Sequence, residues 1–181
     1  MSDLKFNDLI LIARGAIKSY FENQKLMPKN DLRKKYSEKK ACFVTLTINN
    51  RLRGCIGSLT PIKPLWMDVV DNAINAAFND YRFKPLSKKE FEKIKIEVSV
   101  LSNAKEIKYN NSNDLLNKIK KNYGLILSKN SFSSTFLPQV WEQINTKKEF
   151  LEELSLKAGL KKDDWKTSKI FYYTVTSQKE E

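Results

Sequence analysis

"ACFVTLTINNRLRGCIGSL", residues 41–59, carries the reading of the fold. Residues 41–48 alternate in the two-residue period of a half-buried strand, with Val44, Leu46 and Ile48 on one side and Thr45 and Thr47 on the other. Asn49 and Asn50 suit a turn, and the chain returns through Arg51–Gly57. A plain two-residue turn would set Ile48 opposite Arg51 and Leu46 opposite Arg53. Both guanidiniums would then lie on the apolar face, at a heavy desolvation cost. A three-residue loop, or an equivalent bulge, shifts the pairing by one. Leu52 and Ile56 then join the apolar side, and Arg53 and Cys55 share the opposite face with Thr45 and Thr47. Cys42 is expected in the core and Cys55 partly exposed beside Arg53.

The same stretch is unusual in composition. The chain of 181 residues has five glycines and two cysteines, and its 33 basic residues are five Arg and 28 Lys. "RLRGCIG" holds two of those arginines, two glycines and one cysteine. Gly54 and Gly57 allow a sharp bend or a close approach of ligand or backbone, and free backbone amides in such a bend bind anions. Arg51, Arg53 and Arg82 offer a planar fork that holds a carboxylate or phosphate through two bonds, which Lys cannot do. A thiol among such groups is expected to be acidified. The plain structural alternative is a bulged strand with a small thiol and an Arg paired to a neighbouring acid.

Outward from this hairpin, residues 4–21 carry Phe6, Leu9, Ile10, Ala13, Ile17, Tyr20 and Phe21 at helical spacing. Residues 28–40 read as a basic loop. Pro64 suits the first turn of a helix reaching about Asn79, and Ser87 with Glu90 forms a capping-box pattern. "IKIEVSV" (94–100) is an alternating strand, and 113–121 reads as a helix. A hairpin is expected around Lys129 and Asn130. Thr146 and Glu149 open another helix, which stops at Gly159. "KIFYYTVT" (169–176) reads as one final strand. The class is α+β, a mainly antiparallel sheet flanked by helices, in a single domain over 1–181.

Charge and residue types narrow the chemistry. The net charge is +12 with no histidine. That removes Cys–His and Ser–His–Asp catalysis and histidine metal sites, and two cysteines cannot make a four-thiolate site. No metal or resident cofactor is expected. Lysines are spread along the whole chain, so a nucleic-acid surface is allowed but not favoured. Two cysteines and no membrane-length apolar run suggest a reduced, cytoplasmic protein, with the N-terminus read as a helix of the fold. Two further clusters stand out. In "NDYRF" (79–83), Asp80 can pair with Arg82. In "TFLPQVWEQ" (135–143), Pro138 breaks a strand, Trp141 anchors the turn, and Gln139 and Glu142 are polar candidates.

In order and spacing, "ACFVTL", "LRGCIGSL", "NAINAAF" with "RF" after it, "IEVSVLS", "GLIL", "TFLPQVW" and "KAGL" closely resemble the AMMECR domain family, from about residue 8 to 176. Its bacterial and archaeal members are called AmmeMemoRadiSam system protein A. The resemblance implies an α+β domain with a smaller lobe and a cleft whose wall includes the "LRGCIG" segment. It implies a Memo-like protein and a radical SAM protein as partners. It carries over motif positions Arg53, Gly54, Cys55 and Gly57, then Arg82 and Phe83, then Leu137, Pro138 and Gln139. Tyr81 and the "SKNSFSS" segment depart from the family pattern. The expected role is a modification-pathway component that binds an anionic small molecule or peptide group through Arg53, Gly54, Gly57, Arg82 and Gln139. Cys55 is the candidate nucleophile and Glu142 the candidate acid or base. A non-catalytic docking adaptor is the alternative.

Overall fold

The computed structural model describes residues 4–181, with side chains described from Asp8 onward, so Phe6 of the expected helix lies outside the described side chains. In chain order the elements are α1 (Leu4–Phe21), α2 (Asn30–Lys35), β1 (Cys42–Ile48), β2 (Arg51–Gly57), α3 (Leu65–Phe78), α4 (Lys88–Phe91), β3 (Lys95–Leu101), β4 (Lys105–Glu106), α5 (Ser112–Lys118), β5 (Gly124–Lys129), β6 (Phe132–Phe136), α6 (Lys147–Lys157), β7 (Lys169–Tyr173) and β8 (Val175–Lys179). Short 3-10 turns cover Pro138–Glu142 and Asp164–Thr167. The class is α+β, with two four-stranded sheets ordered β2-β1-β3-β8 and β4-β7-β5-β6.

The chain forms two compact units. The first runs to Leu101 and takes back Thr176–Glu181; the second is Ser102–Val175. In the first, α1 and α3 pack on the sheet. Leu9, Ala13 and Ile17 of α1 meet Val69 and Ala73 of α3 over Cys42, Val44, Leu46, Ile96 and Val98. In the second, Leu125, Leu127 and Ile170 pack against Phe150, Leu151, Trp141 and Trp165.

Most expected boundaries match. Ser87 and Glu90 make a reciprocal capping box, the Thr146 side chain caps α6, and Gly159 adopts φ 79°, the left-handed conformation glycine allows at a helix end. Two readings change. The basic segment 28–40 contains the short helix α2. The final strand is two strands, β7 and β8, which belong to different sheets.

The hairpin register resolves the opening puzzle. Asn49 and Asn50 have φ 51° and 60°, so the turn has two residues and both take the left-handed geometry that Asn tolerates. Ile48 therefore does pair with Arg51. The one-residue shift comes later. Thr47 pairs with Leu52 and Leu46 with Gly54, leaving Arg53 as the extra residue of a bulge. Beyond it, Cys55 pairs with Thr45 and Ile56 with Val44. Cys42 is fully buried and Cys55 partly exposed, as the alternation requires. Leu52 is the correction. It lies on the turn side of the bulge, across from Thr47, and is 45% exposed instead of joining the apolar face.

Candidate functional site

The bulge fixes where Arg53 goes. Its side chain is only 13% exposed and spans the loop before α4. Nε donates to Glu90 Oε1 at 2.8 Å and Nη2 to Glu90 Oε2 at 3.2 Å and to the Lys84 carbonyl at 2.9 Å. The guanidinium also lies 5.7 Å from the centre of the Phe83 ring. Arg53 and the amide of Ser87 together draw the Glu90 carboxyl down to about 2. Glu90 thus serves both the α4 cap and the arginine.

Gly54 faces α3. A β-carbon there would stand 2.1 Å from the carbonyl oxygen of Ala76, so strand and helix approach as closely as only glycine allows. At Gly57 an added β-carbon would meet the Phe43 ring at 2.3 Å. Each glycine therefore has a packing reason within the first unit.

Between them, both backbone groups of Cys55 are held. Its N–H donates to Asp80 Oδ2 at 2.9 Å, and its carbonyl accepts from Arg82 Nη2 at 3.1 Å. Arg82 in turn grips Asp80 through Nε at 2.9 Å and Nη2 at 2.7 Å. The Asp80 side chain is 2% exposed and that of Arg82 42%. The Arg82 guanidinium, helped by the Cys55 and Arg82 amides, holds the Asp80 carboxyl well below the usual carboxylate range against the opposing effect of burial. The clamp leaves the thiol projecting on the sheet face that α1 and α3 do not cover, with Sγ 3.2 Å from Thr45 Oγ1. Thr45 also pairs with Glu97 on β3, so Cys55, Thr45 and Glu97 form one row across three strands. Glu97 accepts from Ser99 Oγ at 3.2 Å, and Ser99 meets Ser177 Oγ at 2.7 Å.

The other cysteine is part of a buried brace. Asp68 Oδ2 accepts from the Cys42 amide at 3.0 Å, from Ser58 Oγ at 2.5 Å and from Asn72 Nδ2 at 3.1 Å. Burial, and then the charge of Asp68, push the Cys42 thiol far up. Cys42 is therefore an inert core group.

The structure brings Arg53, Gly54, Cys55, Gly57 and Arg82 together in the first unit. Gln139 and Glu142 stand exposed on the 3-10 turn of the second unit, where Trp141 is buried, donates from Nε1 to the Tyr123 carbonyl at 2.8 Å and stacks on Phe150. Sequence reasoning paired Asp80 with Arg82 but did not see it clamping Cys55, and it missed Thr45, Glu97 and Asp68 as partners. Asp68 and Asn72, four apart within the apolar stripe of α3, were a visible sign of a buried polar brace. Among the described residues no three Cys, Asp or Glu side chains gather to hold a metal ion, and no helix is long and apolar enough to cross a membrane.

The chain as a whole is similar to known proteins. A crystal structure of an uncharacterized Pyrococcus horikoshii protein matches with a TM-score of 0.81 and 36% identity, over 96% of this chain and 90% of that one. A Nanoarchaeum equitans protein is 37% identical over 178 residues, 94% of this chain and 97% of its own length. A Methanopyrus kandleri protein is 38% identical over 179 residues, covering 94% and 84%. The family model described as AMMECR1 matches residues 10–179, so the site lies wholly inside the matched region. The chain belongs to the AMMECR1 family.

Proposed function

We propose that this protein is a cytoplasmic component of a modification pathway that presents the Cys55 thiol to an anionic small molecule or peptide group, working with Memo-like and radical SAM partners. The observation that carries this reading is the clamp. The buried Asp80 carboxylate and the part-exposed Arg82 paired to it grip the N–H and the C=O of one cysteine peptide while its sulfur is left partly exposed beside a hydroxyl. A structural cysteine needs no such positioning; a nucleophile gains from having its direction fixed in advance. The two guanidiniums nearby are already matched by Glu90 and Asp80. The exposed edge of Arg82 is therefore the group left to meet an anion, and Arg53 holds the loop behind it. In this reading Gln139 stays a candidate through the family motif and Glu142 as an exposed carboxylate of the same turn.

Competitive alkylation tests it. Iodoacetate and iodoacetamide attack the same thiolate, so their rate ratio at Cys55 cancels the thiolate fraction and reads only the preference for an anion. The ratio, measured by peptide mapping against N-acetylcysteine amide, is expected to be several-fold higher at Cys55. It should persist at 0.5 M salt, where screening acts within about 4 Å, and fall in Arg82→Gln. A ratio at or below the reference overturns the anion site.

One observation favours a docking surface instead: Tyr81, next to the clamp, is 94% exposed. Under that reading Tyr81→Ala abolishes capture of the Memo-like partner while Cys55→Ser leaves it intact.

A further inference from the structure

The row that begins at the Cys55 thiol runs on into polar groups that the clamp does not touch. Cys55, Thr45 and Glu97 stand side by side on β2, β1 and β3. Thr45 has a single hydroxyl proton to give. Two cross-strand neighbours compete for it: the Cys55 sulfur, 3.2 Å from Thr45 Oγ1, and the Glu97 carboxylate on the other side. A carboxylate is a strong acceptor. Left without another donor, Glu97 would draw that proton away from the sulfur.

Glu97 has another donor. Ser99, two residues further on and so on the same strand face, donates from Oγ to Glu97 Oε1 at 3.2 Å. With its one proton used there, Ser99 accepts from Ser177, whose Oγ lies 2.7 Å away. Ser99 is only 6% exposed, so water does not readily replace it as the donor. No hydrogen bond joins Glu97 to Thr45 among the described residues.

We infer that Thr45 is a positioning residue for the Cys55 thiolate, donating its hydroxyl proton to the sulfur, and that Ser99, backed by Ser177, holds Glu97 aside so that this proton stays available. The inference rests on the thiol reading above and names what tunes that same sulfur. The hydroxyl accepts from the thiol and donates to the thiolate. The bond to the charged sulfur is the stronger, so the contact favours ionisation. The titratable groups around the sulfur are Asp80, Tyr81 and Arg82 on the loop that holds its peptide, Arg53 on β2, and Lys95 and Glu97 on β3. β1 brings no charge, and α1 and α3 lie on the opposite face.

The test is the pH dependence of Cys55 alkylation by neutral iodoacetamide in the full chain, read by peptide mapping. Thr45→Val should raise the midpoint by about half to one pH unit, the scale by which a hydrogen bond to a charged group exceeds one between neutral groups. Thr45→Ser should restore the parent midpoint. Ser99→Ala should also raise it, and adding Glu97→Ala should bring it back to the parent's or below. Native protection of Cys42 shows in each variant that the sheet is intact; if Thr45→Val loses it, the Ser99→Ala arm, which leaves β1 unchanged, decides. A purely structural Thr45 would alter stability and leave the midpoint in place. An unmoved midpoint in Thr45→Val, or an equal rise in Thr45→Ser, overturns the role of Thr45, and an unmoved midpoint in Ser99→Ala overturns the steering of Glu97. Iodoacetamide carries no charge, so these outcomes are independent of the iodoacetate ratio that tests the anion site. A Cys55 that does not react in the native protein removes the thiol reading itself, and this inference with it.

Discussion

The same substitution, glycine to alanine, should have opposite effects at two places in the first unit. At Gly54 the new β-carbon would lie 2.1 Å from the Ala76 carbonyl oxygen and 3.1 Å from its carbon. Ordinary contacts begin above 3 Å, so β2 and α3 must part locally by about 1 Å, and neither atom belongs to a flexible side chain. Overpacking of this kind costs about 1–3 kcal/mol. Alanine restricts the unfolded chain and returns about 0.4–1 kcal/mol, which leaves a net loss of about 1–2 kcal/mol. At Gly15, inside α1, the nearest atom to an added β-carbon is a Leu26 methyl at 3.4 Å, a normal contact. There alanine keeps the entropy gain and improves helix propensity, for about 0.5–1 kcal/mol of stabilisation. Amide hydrogen exchange of β1 and β3 reads the opening free energy of this unit directly, without assuming that both units unfold as one. Protection should fall in Gly54→Ala and rise in Gly15→Ala, a spread of about 2–3 kcal/mol. Equal protection in the two variants would refute the claim that strand-to-helix contact is what demands glycine at position 54.

The clamp and the ion pairs give further outcomes. Asp80→Ala removes the acceptor for the Cys55 amide and for Arg82 together, and should cost about 2–3 kcal/mol in a urea titration; a loss under 0.5 kcal/mol would mean the clamp is ornamental. Glu90 and Asp80 both have folded-state pKa values below their unfolded ones. Their stabilisation is therefore complete above about pH 5 and is lost as pH falls toward and below 2. Stability measured from pH 5 down to 2 should drop less steeply in Glu90→Gln than in the parent, by about 1 kcal/mol after allowing for solvent at the carboxylate, which is 36% exposed. Iodoacetamide should label Cys55 in the native protein and Cys42 only after unfolding, because burial shuts off the Cys42 thiol; native labelling of Cys42 would contradict the Asp68 brace.

What the sequence revealed here follows from the range of the forces involved. Alternation is local, so the core position of Cys42 and the exposed one of Cys55 could be read from residues 41–57 alone. Parity also demanded a one-residue shift, since two guanidiniums could not enter the core. Parity does not say where the shift occurs. The structure puts it at Arg53, because there the bulged side chain reaches Glu90 and Lys84, groups more than thirty residues away. That distant pairing turned Leu52 outward. Likewise "KIFYYTVT" carries no Gly or Pro to mark a break at Thr174; pairing of its first half with β5 and β4 and placement of its second beside β3 divide it. Asp80 followed the same logic. Its sequence neighbour Arg82 was evident, but its hold on the Cys55 amide exists only once the bulge has moved that amide to meet it. The bulge is thus the common origin of three features: the buried Arg53, the clamped Cys55 and the exposed Leu52. Deleting Arg53 outright should remove the bulge and keep the pairs on either side of it, Thr47 with Leu52 and Leu46 with Gly54. Cys55 then stays opposite Thr45 on the open face, so native Cys55 labelling should persist in the deletion variant while its Asn49–Asn50 turn persists by NMR. Loss of native labelling would show that pairing parity beyond position 53 is not what sets the direction of the thiol.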